Sequence, residues 1–381
     1  MRGEYIRPVR PIGRTGVFAA AAVLACGLLF PSLAFAAVTI DETELAQGEN
    51  AVGGGTATLA DTVLDMVNVT AGTLYTDQDL TVNFNGGNEV GNVDVAGSAE
   101  VELNFTGENE VEEVHATESS DVTINADGHN EFEEIEASEQ SNLTINVTGE
   151  NEFEEIVGRD DANITIRGTD CQKKDTVELG DDEQDTAITT ENGTLTIDHV
   201  TVEIEAEEAV IGSSKGNVTI DTSKIEADDD TEYTEIMAGG TMEITESVIE
   251  ITGTVHSEGK MTIDHSDVKV EAPEGEYGNK SPYRVWSKTG IELKREENGE
   301  VKEGKIGDDD VYYVDTDDGD DVDLEADGDP AYYKCKDKGV NAAPLPKTGD
   351  NSYPIGLAIA AAACAAIALF SAKRRKEERV L

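Results

Sequence analysis

Residues 148–156 read TGENEFEEI, and closely similar stretches recur upstream at a fixed interval. The related stretches are TGENEVEEV (106–114), ADGHNEFEEI (126–135) and NGGNEVGNV (85–93). Their shared Asn-Glu pair begins at positions 88, 109, 130 and 151, so the period is constant at 21. A fixed period of this length indicates a repeat protein that grows by adding structural layers. The 381 residues of the chain therefore need not divide into several globular domains.

Apolar residues hold the same positions in each unit and alternate with polar residues, as in LTINV at 143–147. This alternation is typical of a strand with one buried face. A strand of this length cannot bury that face alone, but stacked coils can. We therefore predict an all-β fold, a parallel β-solenoid (β-helix) with coils of about 21 residues. The apolar columns are Leu80, Val101, Val122, Leu143 and Ile164; Val82, Leu103, Ile124, Ile145 and Ile166; Val90, Val111, Phe132 and Phe153; and Val93, Val114, Ile135 and Ile156.

Asparagine repeats at the same interval in two further columns. Equivalent residues of successive coils lie about 4.8 Å apart in a solenoid, so stacked amides can hydrogen-bond along the axis. We predict two structural asparagine ladders, of which the second is buried. They consist of Asn83, Asn104, Asn125 and Asn146, and of Asn88, Asn109, Asn130 and Asn151.

The remaining sequence extends this plan in both directions. The predicted segments are a signal peptide, an N-terminal cap, regular coils, irregular coils with a C-terminal cap, an acidic hairpin or linker, and a sorting signal. Their bounds are 1–36, 37–79, 80–170, 171–305, 306–343 and 344–381. In the irregular coils, one column is held at unequal steps of 23, 24 and 19 by Ile197, Ile220, Ile244 and Ile263. The hairpin strands are predicted at VYYV (311–314) and AYYK (331–334).

The N-terminal segment has the composition of a signal peptide. Four arginines and one glutamate precede a largely apolar run from 17 to 33. Small residues at Ala34 and Ala36 then suit a signal peptidase that cleaves before Ala37. We therefore expect the chain to be secreted.

The C-terminal segment combines three features in a fixed order. Leu345-Pro346-Lys347-Thr348-Gly349 comes first, an uncharged run at 354–372 follows, and four basic residues at 373–376 come last. At about 1.5 Å per residue, the uncharged run reaches about 28 Å, which suits a transmembrane helix. The basic residues are expected to remain in the cytoplasm.

This tail resembles the sorting signal of Gram-positive, LPxTG-type cell-wall surface proteins. The resemblance begins at Leu345 and implies that a sortase cleaves between Thr348 and Gly349 and joins Thr348 to peptidoglycan. The protein would then be anchored in the cell wall, and the membrane would be a partner only through the C-terminal helix before sorting.

The repeated coils are also similar to bacterial carbohydrate-binding right-handed β-helix proteins. The wider β-helix group includes polysaccharide lyases, which use Ca²⁺-binding acids with an Arg or Lys base. Between residues 37 and 270 the only arginines are Arg159 and Arg167, and neither lies in a recognisable cluster. We therefore assign no catalytic residue and expect a protein that is not an enzyme.

The chain is strongly acidic, with 81 Asp and Glu against 28 Lys and Arg and a formal charge of −53. Removal of both terminal segments would leave −58 on residues 37–348. Such a charge repels nucleic acid and anionic lipid and favours cations, cationic polymers or neutral glycans.

Of the four cysteines, Cys171 and Cys335 lie in the exported part, and their spacing does not decide whether they pair.

Two candidate sites follow from the repeats and from the aromatic residues. Glu89, Glu110, Glu131 and Glu152 form a predicted carboxylate file, which either binds a hard cation such as Ca²⁺ or is a solvated face that prevents aggregation. Tyr277, Tyr283 and Trp286 either form a glycan platform or close the last coil.

The sequence favours a non-catalytic surface protein with a binding, adhesive or structural role and no certain cofactor. A wall-anchored polysaccharide-degrading enzyme and a passive spacer or surface coat are the alternatives.

Overall fold

The computed structural model describes residues 38–169, 175–180, 185–228, 230–273, 283–294, 302–303, 305–306, 311–314, 321–326 and 330–332. The predicted signal peptide, transmembrane helix and sorting signal lie outside these residues. So do Tyr277, Cys171 and Cys335. Within the described part of the chain, no helix is long and apolar enough to cross a membrane.

About two thirds of the described chain is β-strand, with almost no helix, and the strands wind into a solenoid of about nine turns. The N-terminal strands are β1 (Thr39–Ile40), β2 (Thr43–Glu44), β3 (Gly48–Val52), β4 (Gly55–Ala60), β5 (Val63–Val67) and β6 (Thr70–Thr76). The regular coils contain β7 (Leu80–Asn85), β8 (Glu89–Val95), β9 (Glu100–Ala116), β10 (Asp121–Ala137), β11 (Asn142–Gly158) and β12 (Asn163–Gly168).

Shorter strands build the second half. The irregular coils contain β13 (Thr176–Leu179), β14 (Thr186–Thr190), β15 (Leu195–Asp198), β16 (Thr201–Ile204), β17 (Glu208–Ser213), β18 (Val218–Asp221), β19 (Lys224–Ala227), β20 (Tyr233–Ala238), β21 (Met242–Thr245), β22 (Val248–Ser257), β23 (Met261–Asp264) and β24 (Asp267–Glu271). The last strands are β25 (Val285–Ser287), β26 (Ile291–Lys294), β27 (Lys302–Glu303), β28 (Lys305–Ile306), β29 (Tyr312–Tyr313) and β30 (Val322–Leu324).

The register confirms the predicted parallel stacking at the period read from the sequence. β9, β10 and β11 pair in parallel, so that Val101 lies beside Val122 and Val122 beside Leu143. The looser coils keep the same column despite their unequal lengths, because Ile197, Ile220, Ile244 and Ile263 are also successive partners. Extra residues in a coil therefore lie in its corners and leave the strands aligned.

Each coil contributes strands to three parallel sheets. β11 shows the division, because its first part pairs with β12, its middle with β13 and its last part with β14. We call these the first, second and third sheets. The same order continues in β15, β16 and β17 and in β18, β19 and β20. The solenoid is therefore three-sided, and every outward side chain belongs to one of three faces.

Residues with positive φ form the corners between sheets. Glu118, Glu139 and Asp160, at φ of 64°, 61° and 54°, recur once per coil between the third sheet and the first. A left-handed conformation costs a non-glycine residue roughly 1–2 kcal/mol. The cost is offset because the corner backbones also stack: Gln140 N donates to Glu118 O at 2.9 Å, and Asp161 N to Glu139 O at 2.8 Å.

One continuous apolar core fills the coils. Four phenylalanines pack along it, with neighbouring ring centroids 4.3–5.1 Å apart. Phe105 lies on the first sheet, where its partner in the next coil is Ala126, whereas Phe132 lies on the second sheet opposite Val111. From one coil to the next, Phe105 is replaced by the smaller Ala126 while Val111 is replaced by the larger Phe132. The two changes in side-chain volume offset each other, so the two coils have a similar cross-section. The four rings belong to Phe84, Phe105, Phe132 and Phe153.

Polar ladders run beside this core. Asn88, Asn109 and Asn130 are at most 4% exposed, and each donates its side-chain amide to the asparagine of the next coil at 2.7–2.8 Å. The last acceptor in this file is Asn151. In the other asparagine column, the amides of Asn104, Asn125 and Asn146 donate to the preceding asparagine at 2.7–3.0 Å, and Asn83 donates to Asp65. Amide dipoles therefore align along the axis on both the inner and the outer side of the coils.

The N-terminal end differs from a cap restricted to 37–79. β3, β4 and β5 form an antiparallel meander, but β5 also pairs in parallel with β7 and β6 with β8. Parallel stacking thus begins at Val63, ahead of the regular repeat. The repeated asparagine and glutamate residues of the later coils are absent from β5 and β6. The sequence pattern therefore did not predict that these two strands belong to the stacked coils.

The predicted hairpin between 311–314 and 331–334 is not formed by the described residues of these two segments. β29 pairs antiparallel with β25 and β28, β30 pairs antiparallel with β24, and Ala331 and Tyr332 are helical. The last coil leaves open strand edges, and unpaired backbone groups at such edges require partners. These edges bind the C-terminal segments more favourably than the segments bind each other, which a local pattern cannot indicate.

Candidate ligand-binding faces

The outward column of the second sheet is a longer carboxylate file than expected. Register places Glu89 beside Glu110, Glu110 beside Glu131 and Glu131 beside Glu152, as the period implied. The file then continues through four further glutamates and ends at Lys269. The added members are Glu178, Glu203, Glu226 and Glu250. Their spacings along the chain are unequal and longer than 21, so a single fixed period does not predict them. We call these eight residues the glutamate file.

Crowding and burial change the chemistry of this file. Burial, followed by the charge of Glu131, raises the pKa of Glu152, and burial, followed by the charge of Glu205, raises the pKa of Glu178. A shallow groove of about 380 Å³ lies along the first coils of the file and is lined by Glu89, Glu110 and Glu131 together with buried asparagine. Adjacent carboxylates at one strand spacing repel each other by about 0.9 kcal/mol in water.

We expect the protein to become more stable as the pH falls from 7.5 to 5. A carboxyl whose pKa is raised by folding binds protons more readily in the folded state, so stability decreases as pH rises through the folded pKa. The raised pKa values of Glu152 and Glu178 therefore favour the acidic side, down to the unfolded value near 4.5. Hydrogen bonding to Asp94 raises the pKa of His115, which acts in the same direction.

Thermal unfolding at constant ionic strength measures this dependence, and the expected rise in Tm is about 4 °C. The variant Glu152→Gln should flatten the profile, whereas Glu44→Gln, at an exposed N-terminal position, should not. A Tm that falls steadily from pH 7.5 to 5 contradicts this expectation.

A cation of the protein itself lies at one end of the glutamate file. The described residues contain no group of three or more His, Cys, Asp or Glu arranged to hold a metal ion. Further along the file, the ammonium of Lys224 lies 2.5 Å from Glu226 and 3.0 Å from Glu250. The ammonium of Lys224 therefore bridges two coils at this point, which is the role that the cation hypothesis gave to Ca²⁺.

The first sheet presents a row of threonines. Thr123, Thr144 and Thr165 are successive partners, and Thr196 and Thr219 continue the row. The second outward column changes along the sheet from asparagine to charged residues, with Arg167 opposite Asp198. Asp198 also pairs with His199. This trio of Arg, Asp and His is one of several mixed clusters on the described coils; Asp264, which pairs with His265 and Lys294, belongs to another.

The third sheet differs from both other faces because its second half carries little charge. Most of its outward residues are small or apolar over several coils, and they lie between the acidic outer residues of β11 and the aromatic residues of β25. Glu208 borders this surface at the start of β17, and Glu235 within it contacts His256 Nε2 at 2.7 Å. We call this surface the neutral face. It consists of Val157, Ala187, Thr189, Val210, Gly212, Met237, His256 and Trp286.

Trp286 forms the aromatic end of the neutral face. Its ring stacks on His256 at a centroid distance of 4.4 Å and an angle of 8°. Its strand partner Tyr313 stacks on Tyr283 at 4.5 Å. Trp286 is half-buried and points outward, because its neighbours Val285 and Ser287 point into the coil. Tyr283 and Trp286 thus lie in one aromatic cluster, while Tyr277 falls outside the described residues.

Other residues cover the end of the core. Tyr312 and Val314 pack against the core, and Val322 and Leu324 are buried in it. At the aromatic end of the neutral face, the indole Nε1 of Trp286 and Nδ1 of His256 are buried without a hydrogen-bond partner among the described residues. Such unpaired groups are uncommon in folded proteins.

Residues 341–379 match the family model of the LPXTG cell wall anchor motif. The protein is a cell-wall-anchored surface protein of Gram-positive bacteria. The match covers the segment that contains Leu345 to Gly349 and implies sortase-mediated covalent attachment to the cell wall. It does not extend into the solenoid. Comparison with curated proteins and with solved structures gave no significant match.

Proposed function

We propose that this wall-anchored solenoid is a non-catalytic protein that binds a neutral glycan along its neutral face. The observation that carries the proposal is the weakly charged, aromatic-ended surface of the third sheet within a chain of charge −53. The glutamate file on the second sheet carries a carboxylate in eight successive coils, and the second half of the first sheet carries Asp198, Asp221 and Asp264. A contact surface with little charge is suited to a ligand without charge.

The shape and chemistry of the neutral face suit a sugar polymer. Ala187 and Thr189 have small side chains, so a flat ligand can approach this part of the sheet closely. Trp286 provides an aromatic face on which the apolar side of a sugar ring can stack. Polar groups beside such an aromatic surface fix a ligand's orientation. The carboxylate of Glu235, which also holds His256, is in this position.

The test is binding of the chain from 37 to 348 to a panel of linear polysaccharides, comprising neutral β-glucan, xylan and galactomannan with polygalacturonate as the anionic comparison. We expect binding to a neutral member and none to the polyanion. Trp286→Ala should weaken that binding by roughly tenfold or more, because stacking and apolar contact are lost. Circular dichroism establishes that each variant is folded.

A matched pair of charge variants separates the neutral face from the rest of the surface. Val210→Glu introduces a carboxylate on the neutral face, whereas Thr196→Glu introduces one on the first sheet. We expect only Val210→Glu to reduce glycan binding. Equal effects of both variants would contradict the assignment of the face.

Two results would replace the proposal. Release of unsaturated or reducing products from any of the polysaccharides would support the enzyme alternative, for which Arg167, Asp198 and His199 would be the first residues to replace. Absence of binding to the whole panel by the folded chain would favour a passive spacer.

A further inference from the structure

The C-terminal chain folds back along one corner of the solenoid. We call residues 321–326 and 330–332 the clasp. β30 pairs antiparallel with β24, and Ala326 N donates to Asp267 Oδ1 at 2.8 Å. From there the chain runs toward earlier coils, where Ala331 N donates to Glu246 Oε2 at 2.6 Å and Tyr332 N to Glu246 O at 3.1 Å.

Tyr332 fixes the far end of the clasp. Its ring is 5% exposed, and its hydroxyl lies 2.9 Å from Thr201 Oγ1, which is also buried. Thr201 and Asp267 hold equivalent positions three coils apart, linked through Lys224 and Val248. At about 4.8 Å per coil, the clasp therefore spans about 14 Å of the axis. It joins the coil of Thr201 to the C-terminal chain and also bonds to Glu246 in a coil between them.

The clasp is the last described segment before the anchor motif. Thr348, the residue joined to the wall, follows Tyr332 by 16 positions. Any tension between the wall and the body therefore reaches Tyr332 before it reaches β26. In a solenoid, each coil contacts only its neighbours, so a pull on the terminal coil would peel coils away one after another.

We infer that the clasp carries the anchoring load, and that it transfers tension from the wall to the coils of Thr201 and Glu246 so that β26 at the open end bears none. The contacts suit this role because hydrogen bonds, an antiparallel strand pair and a buried aromatic ring act together across several coils. While they hold, the edge of β26 is not pulled.

Single-molecule force measurements on the chain from 37 to 348, held by its two termini, test the inference. The first event should be release of the residues between β30 and Tyr332, which adds about 27 Å for about eight residues at about 3.4 Å each. At constant force, Tyr332→Phe should speed this event roughly fivefold through loss of one buried hydrogen bond. Thr201→Val should have a similar effect.

Tyr332→Ala should remove the event or speed it at least about a hundredfold, because the packed ring is lost as well. Tyr283→Phe serves as the matched control, since Tyr283 lies outside the clasp and its variant should behave like the parent chain. The inference is overturned if Tyr332→Phe and Tyr332→Ala leave the rate and length of the first event unchanged. It is also overturned if Tyr283→Phe has as large an effect as Tyr332→Phe.

Discussion

Asn130→Ala is expected to lower the free energy of unfolding by about 3 kcal/mol. Asn130 is 1% exposed and accepts the amide of Asn109 at 2.7 Å, while its own amide and backbone N donate to Asn151 Oδ1. Alanine would leave the Asn109 amide donor buried without a partner and would remove one of the two hydrogen bonds that Asn151 Oδ1 accepts. Each such group costs roughly 1–3 kcal/mol when no water can reach it. Urea unfolding followed by circular dichroism measures the change.

The same coil provides the control. Asn125 is also a member of an amide ladder, with hydrogen bonds to Asn104 and Asn146, but it points outward and is half-buried. Water can replace the lost partners there, so Asn125→Ala should cost less than about 1 kcal/mol. If both variants lose equal stability, burial does not explain how much the buried ladder contributes to the free energy of unfolding. If neither loses stability, the inner amides contribute little to the stack.

Thr348→Ala is expected to reduce the covalently wall-bound fraction roughly a hundredfold or more. The anchor motif implies that a sortase joins this residue to the wall, and an enzyme site that recognises a hydroxyl rejects an analogue that lacks it. The variant protein should therefore be extracted from cells with detergent. Parent protein should be released only when peptidoglycan is digested.

The measurement compares detergent extracts and wall digests of cells that carry either form. Thr144→Ala serves as the control, because it removes a hydroxyl from the row of threonines on the solenoid and leaves the motif unchanged. It should remain wall-bound. A Thr348→Ala protein that still resists detergent and requires wall digestion would show that another linkage holds the chain.

The fold could be predicted from sequence wherever residues that become vertical neighbours also repeat at one interval. Val101, Val122 and Leu143 met this condition, and their register followed. Other columns do not repeat at one interval, because the corners between their strands differ in length. Ser223, Ser247 and Ser266 form a buried file in which each hydroxyl accepts a backbone N–H of the preceding coil at 3.1–3.3 Å. Their unequal spacing hid a ladder that resembles the asparagine one.

The candidate site was harder to predict because it depends on what faces outward in the third sheet. Trp286 was visible as an aromatic residue, and its partners were not. Met237 and His256 lie in the same column as Trp286 only because the corners between their strands differ in length. Gly212 belongs to that column as the strand partner of Met237. The clasp was missed for a different reason, since the contact of Tyr332 with Thr201 joins positions 131 residues apart without any shared pattern.

The identical register of β9, β10 and β11 makes this body adjustable in length. Removal of residues 122–142 would bring β9 directly onto β11, with Val101 beside Leu143 and each asparagine again beside an asparagine. Duplication of the same stretch would insert another layer with equal ease. A lineage that gains or loses one such unit by unequal recombination would therefore move its outermost end by one strand spacing, about 4.8 Å, without redesigning any contact.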